Sequence, residues 1–205
     1  MFHLPFNHSI TLIIITVIVS LLAFSNQAVM NRLIFWPPAM QKGQYDRFIT
    51  HGFVHADGTH LLFNMITLFF FGSAIEQFYR QYAFNMGFVL FYLGALIFAI
   101  LPSYIKHKND YQWASLGASG AVSAVLFAYI LFKPWSLILV FFIPVPAIIF
   151  AVLYVGYSIW SAKRTGQHIN HSAHLWGAAY GVVVTILVNP KVLPHFLSAL
   201  TQLPF

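Results

Sequence analysis

Residues 117–132 read GASGAVSAVLFAYILF, a serine between small residues that leads directly into an apolar run. Ser119 therefore lies where a polar loop gives way to a helix that can lie in a lipid bilayer. His174 opens another apolar segment, which is predicted to start on the same side of the membrane. Polar side chains held in lipid are costly to bury, so this serine and histidine point towards chemistry.

The composition of the chain sets its class. The 205 residues are 60% hydrophobic and only 7% charged, which predicts a polytopic membrane protein with a single domain over residues 1–205. The net charge of +6 includes no run of basic residues, and no nucleic-acid partner is expected. The absence of cysteine excludes disulfides and thiol catalysis.

Six apolar segments predict an all-α polytopic membrane protein with six transmembrane helices and a long interfacial first loop. The helices are expected over about 10–30, 60–78, 84–101, 117–132, 147–160 and 172–188. The first segment has no basic start and a long apolar run, so we interpret it as a spanning helix and not as a signal peptide. Between the fourth and fifth segments, Pro144 and Pro146 favour an extended, partly buried turn over residues 135–146.

The longest loop, residues 32–59, carries Trp36, Pro37 and Pro38 and suits the membrane interface. Asp57 or Thr59 is expected to cap the helix that follows, because either side chain can accept a hydrogen bond from its free N–H groups.

Most residues able to do chemistry are predicted to share one face of the membrane. With six crossings, the second, fourth and sixth helices start on the same side. Their starts carry the following set: His55, His60, Asn64, Ser119, His168, His171 and His174. A cluster drawn from three separate helices indicates a functional site.

Small residues predict that the fourth and sixth helices approach closely. Gly120 and Ala124 are four residues apart on one helix, and Gly177 and Gly181 are four apart on the other. Such faces let helices pack tightly in lipid. Close approach would bring Ser119 within hydrogen-bond reach of His174.

Three motifs in this order resemble the rhomboid intramembrane serine proteases, in their compact six-helix bacterial form. They are His55-x4-His60-x3-Asn64, Gly117-Ala118-Ser119-Gly120 and Ala173-His174-x2-Gly177-x3-Gly181. The resemblance runs from Arg47 to Gly181 and takes in Gly72 and Glu76.

The resemblance implies a role for each of these residues. Ser119 would be the nucleophile and His174 its general base, without a third carboxylate. The oxyanion hole would combine the side chains of His60 and Asn64 with the backbone N–H of Ser119. Gly117 would admit the substrate backbone. Supporting roles would fall to His55, which would bond the loop to the second helix, and to Gly120, Gly177 and Gly181.

The resemblance also implies the setting of the reaction. The substrate would be a transmembrane segment of another membrane protein, and no cofactor or metal would be needed. Access would pass between the second and fifth helices, with residues 161–171 as a lid, so alanine at Phe150 or Tyr154 would loosen the gate. Water would enter past Gln112, Ser115, His171 and Ser172. The protein would lie in the bacterial inner (plasma) membrane with its active site on the extracytoplasmic side.

The sequence departs from this pattern at three points. Members of the family commonly carry Trp-Arg in the first loop, where this chain has Asp46-Arg47. Bacterial members often stack a tyrosine from four residues after the nucleophile on the histidine, where this chain has Ser123. The positive-inside rule favours the opposite orientation, since only Arg80, Lys133 and Lys191 lie on the predicted inner side. The basic residues on the predicted outer side are Arg32, Lys42, Arg47, Lys106, Lys108, Lys163 and Arg164.

Two other classes of function fit parts of the pattern. His168, His171 and His174 recur every three residues with His55 and His60 on the same side, and three histidines with an open position could bind zinc in a membrane hydrolase or metal carrier. Against this, the chain has no H-E-x-x-H motif. A catalytically silent relative that binds transmembrane helices is the other alternative, and the presence of both Ser119 and His174 argues against it.

Overall fold

The computed structural model describes residues 7–140, 142–162 and 170–202. The regular secondary structure of these residues is helical except for one β-hairpin. The α-helices are α1 His8–Ser25, α2 Gln27–Leu33, α3 Pro37–Met40, α4 Arg47–Thr50, α5 Gly58–Tyr82, α6 Gly87–His107, α7 Ser119–Phe132, α8 Ala147–Ala162, α9 His171–Val188 and α10 Val192–Thr201. A short 3-10 helix, His51–Phe53, follows α4, and the hairpin pairs β1 Leu137–Val140 with β2 Ile143–Pro146.

Four of these helices, α1, α5, α6 and α9, are long and apolar enough to cross a membrane. Helices α7, α8 and α10 are apolar but shorter. The 14 residues of α7 rise only about 21 Å at 1.5 Å per residue, less than a hydrocarbon core of about 30 Å. The predicted class, an all-α polytopic membrane protein, is confirmed, and the protein is an integral membrane protein.

The first apolar segment contains two helices and not one. Helix α1 ends at Ser25, and Asn26 separates it from α2 in extended backbone. The Asn26 side chain accepts hydrogen bonds from the N–H groups of Ala28 and Val29. This cap satisfies the free donors of α2, so the chain can change direction here without leaving unpaired amides.

Helix α6 continues past Pro102, beyond the expected end near residue 101. A proline removes one hydrogen bond of the helix, and tertiary contacts hold the turn that follows. The Tyr104 ring packs edge-on against Phe48, and Ser103 Oγ donates to the Asn170 side chain at 3.2 Å. The sixth apolar segment is likewise followed by α10, which the sequence analysis did not anticipate.

The segment between α7 and α8 is extended, as its prolines indicated. Strands β1 and β2 are antiparallel, and Leu137 pairs with Pro146 and Val140 with Ile143. Among the residues of the two strands only Ile138 is buried, while the side chains of Leu137, Leu139 and Ile143 are exposed. The hairpin therefore presents an apolar surface at the end of α7 opposite Ser119.

The long first loop is folded by short helices and one buried arginine. Arg47 is 5% exposed and donates to the carbonyl oxygens of Asn31 and Ile34 and to the Gln44 side chain. The arginine therefore anchors this loop although Asp46 precedes it. Asp57 caps α5 by accepting from the His60 N–H at 2.8 Å, as the sequence predicted.

Helix α7 is the centre of the fold. Eleven of its 14 residues are buried, and it packs against α5, α6 and α9. A helix this apolar on all sides has no polar face to turn outward, which suits it to the middle of a bundle. Ser119 is its first residue, so the serine sits among the surrounding helices.

Candidate active site

The structure joins Ser119 and His174 directly. His174 Nε2 lies 2.7 Å from Ser119 Oγ, although 55 residues separate them in the chain. His174 stands in the first turn of α9, which Asn170 caps by accepting from the Ala173 N–H at 3.1 Å. The cap thus fixes the start of the helix that carries the imidazole.

Close packing of α7 on α9 produces this contact. A Cβ atom added to Gly177 would overlap the backbone of Gly120, and one added to Gly181 would overlap the backbone of Ala124. Gly120 also lies against Ala99 of α6, where an added Cβ would stand 2.6 Å from the alanine methyl. Any larger residue at these positions would separate the two helices that bring Ser119 to His174.

A ring from a third helix lies on the His174 imidazole. Tyr154 of α8 stacks on it with ring centroids 6.0 Å apart and planes 17° apart. The Tyr154 hydroxyl in turn shares a 2.7 Å hydrogen bond with Ser123 Oγ. Ser123 is therefore linked to the histidine by way of Tyr154. The aromatic partner of His174 comes from α8 and not from α7, the helix that carries the nucleophile.

The turn before the nucleophile depends on Gly117. Its φ of +109° lies in a region that favours glycine, and its N–H donates to the His51 carbonyl at 2.9 Å. The His60 ring covers it so closely that an added Cβ would stand 2.5 Å from His60 Cε1. His60 is thereby held beside the turn that carries Ser119.

Asn64 lines the same cavity as His60 and Ser119. Its Nδ2 donates to the His60 carbonyl at 2.9 Å, one turn back in α5. An amide nitrogen carries two hydrogens, so one is left for another acceptor. The Ser119 N–H belongs to the first turn of α7, where amides have no partner within the helix. The His60 ring, the Asn64 amide and the Ser119 N–H can therefore all donate hydrogen bonds to one developing negative charge.

His55 links the loop to α1 and to the nucleophile turn, and its hydrogen bonds do not reach α5 as expected. Its Nε2 accepts from the Ala118 N–H at 3.2 Å, so the ring proton sits on Nδ1, which lies 3.0 Å from Ser20 Oγ. The ring also packs edge-on against His60. Burial, together with the neighbouring His60, lowers the pKa of His55 to about 3.

The cavity at the dyad has a volume of about 620 Å³. Of the residues expected to line water access, Ser115 lines this cavity and its Oγ accepts from Asn170 Nδ2 at 3.4 Å, whereas Gln112, His171 and Ser172 are not among the lining residues. Asn170 also lines the cavity and bonds Ser103. It was missed in the sequence analysis, although an Asn before an apolar helix is a recognisable cap signal.

The described histidines do not gather as a metal site requires. The described part of the chain contains no group of three or more His, Asp or Glu side chains that could hold a metal ion. His171 and His174 meet edge to face with centroids 5.7 Å apart, and the ring nitrogens of His55 are engaged elsewhere. His168 and most of the expected lid, residues 163–169, lie outside the described residues.

Comparison with known proteins places the chain in a family. A sequence profile of the Rhomboid domain matches residues 42–191. RHOMBOID-like protein 12, mitochondrial, from Arabidopsis thaliana is 31% identical over 78% of this chain and 51% of its own length. Rhomboid-like protein 11, chloroplastic, from the same plant is 32% identical over 70% of this chain and 52% of its own length.

A bacterial relative matches over a shorter region. Rhomboid protease GlpG from Enterobacter sp. (strain 638) is 31% identical over 60% of this chain and 41% of its own length. The chain thus spans about half the length of these three relatives. The profile covers the second half of the first loop, the nucleophile turn and the histidine helix, and on that ground the chain belongs to the rhomboid family.

Proposed function

We propose that this protein is an intramembrane serine endopeptidase that cleaves transmembrane segments of membrane proteins with a Ser119–His174 dyad. The observation that carries the proposal is the 2.7 Å contact between His174 Nε2 and Ser119 Oγ at the start of two packed helices. The names of relatives such as rhomboid protease GlpG support it. The direct contact also disfavours the catalytically silent alternative.

Both acylation of Ser119 and hydrolysis of the resulting ester use this contact. As Ser119 Oγ attacks the scissile carbonyl carbon, its proton moves to His174 Nε2. The resulting imidazolium gives the proton to the leaving amine nitrogen, the C–N bond breaks, and an ester to Ser119 remains. His174 next takes a proton from water, and the hydroxide attacks the ester. The imidazolium then returns that proton to Ser119 Oγ as the C–O bond breaks, and the carboxylic acid product leaves and loses its proton to water.

The negative charge that develops on the carbonyl oxygen needs hydrogen-bond donors. His60, Asn64 and the Ser119 N–H surround the cavity from α5 and α7. One such donor is worth about 3 kcal/mol in the transition state, because it is already oriented when the charge appears. Gly117 also lines this cavity, and its lack of a side chain makes room for the His60 ring, so a substrate backbone would pass beside both.

Substrate and water reach the cavity from different sides. Phe63 and Thr67 of α5 and Phe150 and Tyr154 of α8 line one side of it, which favours lateral access between these two helices. Ser115 and Asn170 line the loop side, where water can enter. A substrate helix must unwind locally, since its backbone groups are otherwise paired.

We also propose that the dyad end of the helices faces the extracytoplasmic side of a bacterial inner membrane. Ser119 begins α7 at the same end as the first loop, and the apolar hairpin lies at the other end. The orientation of the family carries this assignment, and the uneven distribution of basic residues opposes it.

A fluorophosphonate probe tests the activity. We expect the purified protein in detergent to be labelled, with labelling abolished by Ser119→Ala and strongly slowed by His174→Ala. A chelator should leave labelling unchanged, and the labelled protein should lose cleavage of a model transmembrane substrate. Activity that survives Ser119→Ala but disappears with a chelator would refute the proposal in favour of the zinc hydrolase.

A further inference from the structure

We infer that Tyr154 of α8 is the positioning residue of His174, and that Ser123 holds it there. The inference rests on the proposed function, since it concerns the base of that reaction. It has two consequences that the sequence motifs do not predict. The support of the base comes from a helix that carries no member of the dyad, and the geometry of the dyad depends on where that helix lies.

The contacts form a closed chain from nucleophile to base. Ser119 and Ser123 are four residues apart, so both lie on the same face of α7. Ser123 Oγ meets Tyr154 Oη at 2.7 Å, the Tyr154 ring stacks on His174, and His174 Nε2 returns to Ser119 Oγ at 2.7 Å. The hydrogen bond fixes the phenol, and the parallel ring restricts rotation of the imidazole out of its plane.

The remaining surroundings of Tyr154 favour a fixed ring. Phe127 of α7 and Phe150 of α8 pack against it, each with centroids 5.6 Å away. His171 touches the imidazole only edge-on, at an angle of 75°, so the stacked surface comes from Tyr154. A phenol that is bonded at its hydroxyl and packed against two other rings loses little further freedom when it supports the histidine.

The stripe of α8 that carries Tyr154 is otherwise made of small residues. The buried residues of α8 are small: Ala147, Ala151, Ser158 and Ser161. They recur at helical spacing with Tyr154, which is the one large side chain in that series. A face of small residues packs closely, whereas the single ring among them reaches across to His174.

Helix α8 is also the wall past which a substrate would enter. Its outward side chains, such as Val152 and Leu153, are 67% and 63% exposed and face lipid. If a substrate helix displaces α8, Tyr154 leaves both Ser123 and His174. The base then regains its position only when α8 packs back, so productive geometry is tied to closure around the bound substrate.

The inference reverses one expectation from the sequence. The sequence predicts that alanine at Tyr154 loosens the gate, as at Phe150. With the ring on His174, Tyr154→Ala should lower the chemical rate even if access widens. A small fluorophosphonate separates these effects, because it reports on the dyad without requiring lateral entry of a helix.

The test compares Tyr154→Ala, Tyr154→Phe and Ser123→Ala with Leu153→Ala as the matched control on the same helix. We expect Tyr154→Ala to slow fluorophosphonate labelling and to lower kcat for a transmembrane substrate by about 10²-fold, with little change in KM, since small misplacements of a catalytic group can cost that much. Tyr154→Phe keeps the ring and should recover activity to within about fivefold, the worth of one hydrogen bond. Leu153→Ala should behave as the unmodified protein.

Each other result decides against the inference. Labelling of Tyr154→Ala at the native rate, or equal losses for Tyr154→Ala and Tyr154→Phe, would overturn it. If Tyr154→Ala does not fold, Tyr154→Phe, Ser123→Ala and their double variant still test it. The two single losses should be similar and the double variant no worse than either, because they remove one bond, whereas additive losses would overturn the inference. Failure of the proposed function itself would appear separately, as labelling that persists in Ser119→Ala.

Discussion

A single amide, that of Asn64, is expected to supply a large part of the oxyanion stabilisation. Its Nδ2 donates to the His60 carbonyl at 2.9 Å, and its second hydrogen is available to the cavity it lines. Because one oriented donor is worth about 3 kcal/mol, we expect Asn64→Ala to lower kcat about 10²-fold with little change in KM. Steady-state cleavage of a transmembrane substrate measures both quantities.

The control for Asn64 lies on the same helix. Leu62 is exposed on α5, away from the cavity, so Leu62→Ala should retain native kcat. A native kcat in Asn64→Ala would show that Asn64 is not part of the oxyanion hole and that His60 and the Ser119 N–H are its donors.

His55 makes the fold sensitive to acid. Its pKa of about 3 in the folded protein lies below the value of about 6.5 expected in the unfolded chain. Between about pH 6.5 and pH 3, His55 is therefore protonated in the unfolded chain but neutral in the folded protein. The free energy of unfolding falls as the pH is lowered through this range. The loss is up to about 1.4 kcal/mol per pH unit from this residue.

Replacement of His55 isolates this effect. Equilibrium unfolding in mixed detergent micelles at pH 7, 6 and 5 measures the free energy of unfolding. His55→Gln should be less stable than the unmodified protein at pH 7, because its bonds to Ala118 and Ser20 change. It should nonetheless lose less stability per pH unit, and parallel pH dependences in the two proteins would contradict the assigned pKa.

At the scale of residues, sequence reasoning reached what is encoded locally. Ser119 and His174 stand out because each is a polar residue at the start of an apolar segment. Tyr154 does not, since a tyrosine inside an apolar helix has no local feature that separates a stacking partner from core. Its contact with His174 appears only when α8 is packed beside α9, and its hydroxyl then meets Ser123, 31 residues earlier in the chain.

Among elements, the α7–α9 contact is expected to be the least tolerant of added volume. A Cβ atom at Gly181 would overlap the backbone of Ala124, which cannot move aside as a side chain can. We expect Gly181→Ala to lower the free energy of unfolding by about 1–3 kcal/mol, as overpacking does in other cores. Fluorophosphonate labelling should also slow, because the same contact sets the distance from Ser119 to His174.

The chain supplies a matched control for this substitution. Gly156 lies in α8, and an added Cβ there meets no atom within 4 Å. Gly156→Ala should leave labelling unchanged and raise stability by up to about 1 kcal/mol, the difference in helix propensity. Equal stability changes in the two variants would show that helix propensity, and not the contact, dominates at Gly181.

The elements were predictable where hydrophobic runs alone define them. The break at Asn26 was not, since a single capping side chain ends one helix and starts the next inside a continuous apolar run. The last turn of α6 was not predictable either, since contacts of Tyr104 and Ser103 stabilise the helix beyond Pro102. Both cases show tertiary or capping bonds overriding the local signal.

For the molecule as a whole, the distribution of basic residues carries less information about orientation than their number implies. Arg47 is buried and bonded to two carbonyl oxygens, and Arg32 pairs with Asp46 at 2.7 Å. Positive charges that are bound within a folded loop differ from the flexible loop charges that the positive-inside rule describes. On the predicted inner side, Arg80 is likewise paired, with the buried Glu76. The Glu76 carboxylate also accepts from the His8 and Ser9 N–H groups at the start of α1.

The absence of native cysteines allows the orientation to be measured with single labels. Asn109 is exposed at the dyad end of the helices, and Lys191 is exposed at the opposite end. We expect a membrane-impermeant maleimide to label Asn109→Cys in intact cells and to label Lys191→Cys only after the membrane is opened. This follows if folding of the first loop, and not the net count of lysine and arginine, determines which end crosses the membrane. Labelling of Lys191→Cys alone in intact cells would establish the inverted orientation that the charge distribution favours, and the proposed outward-facing dyad would then be wrong while the dyad geometry stood.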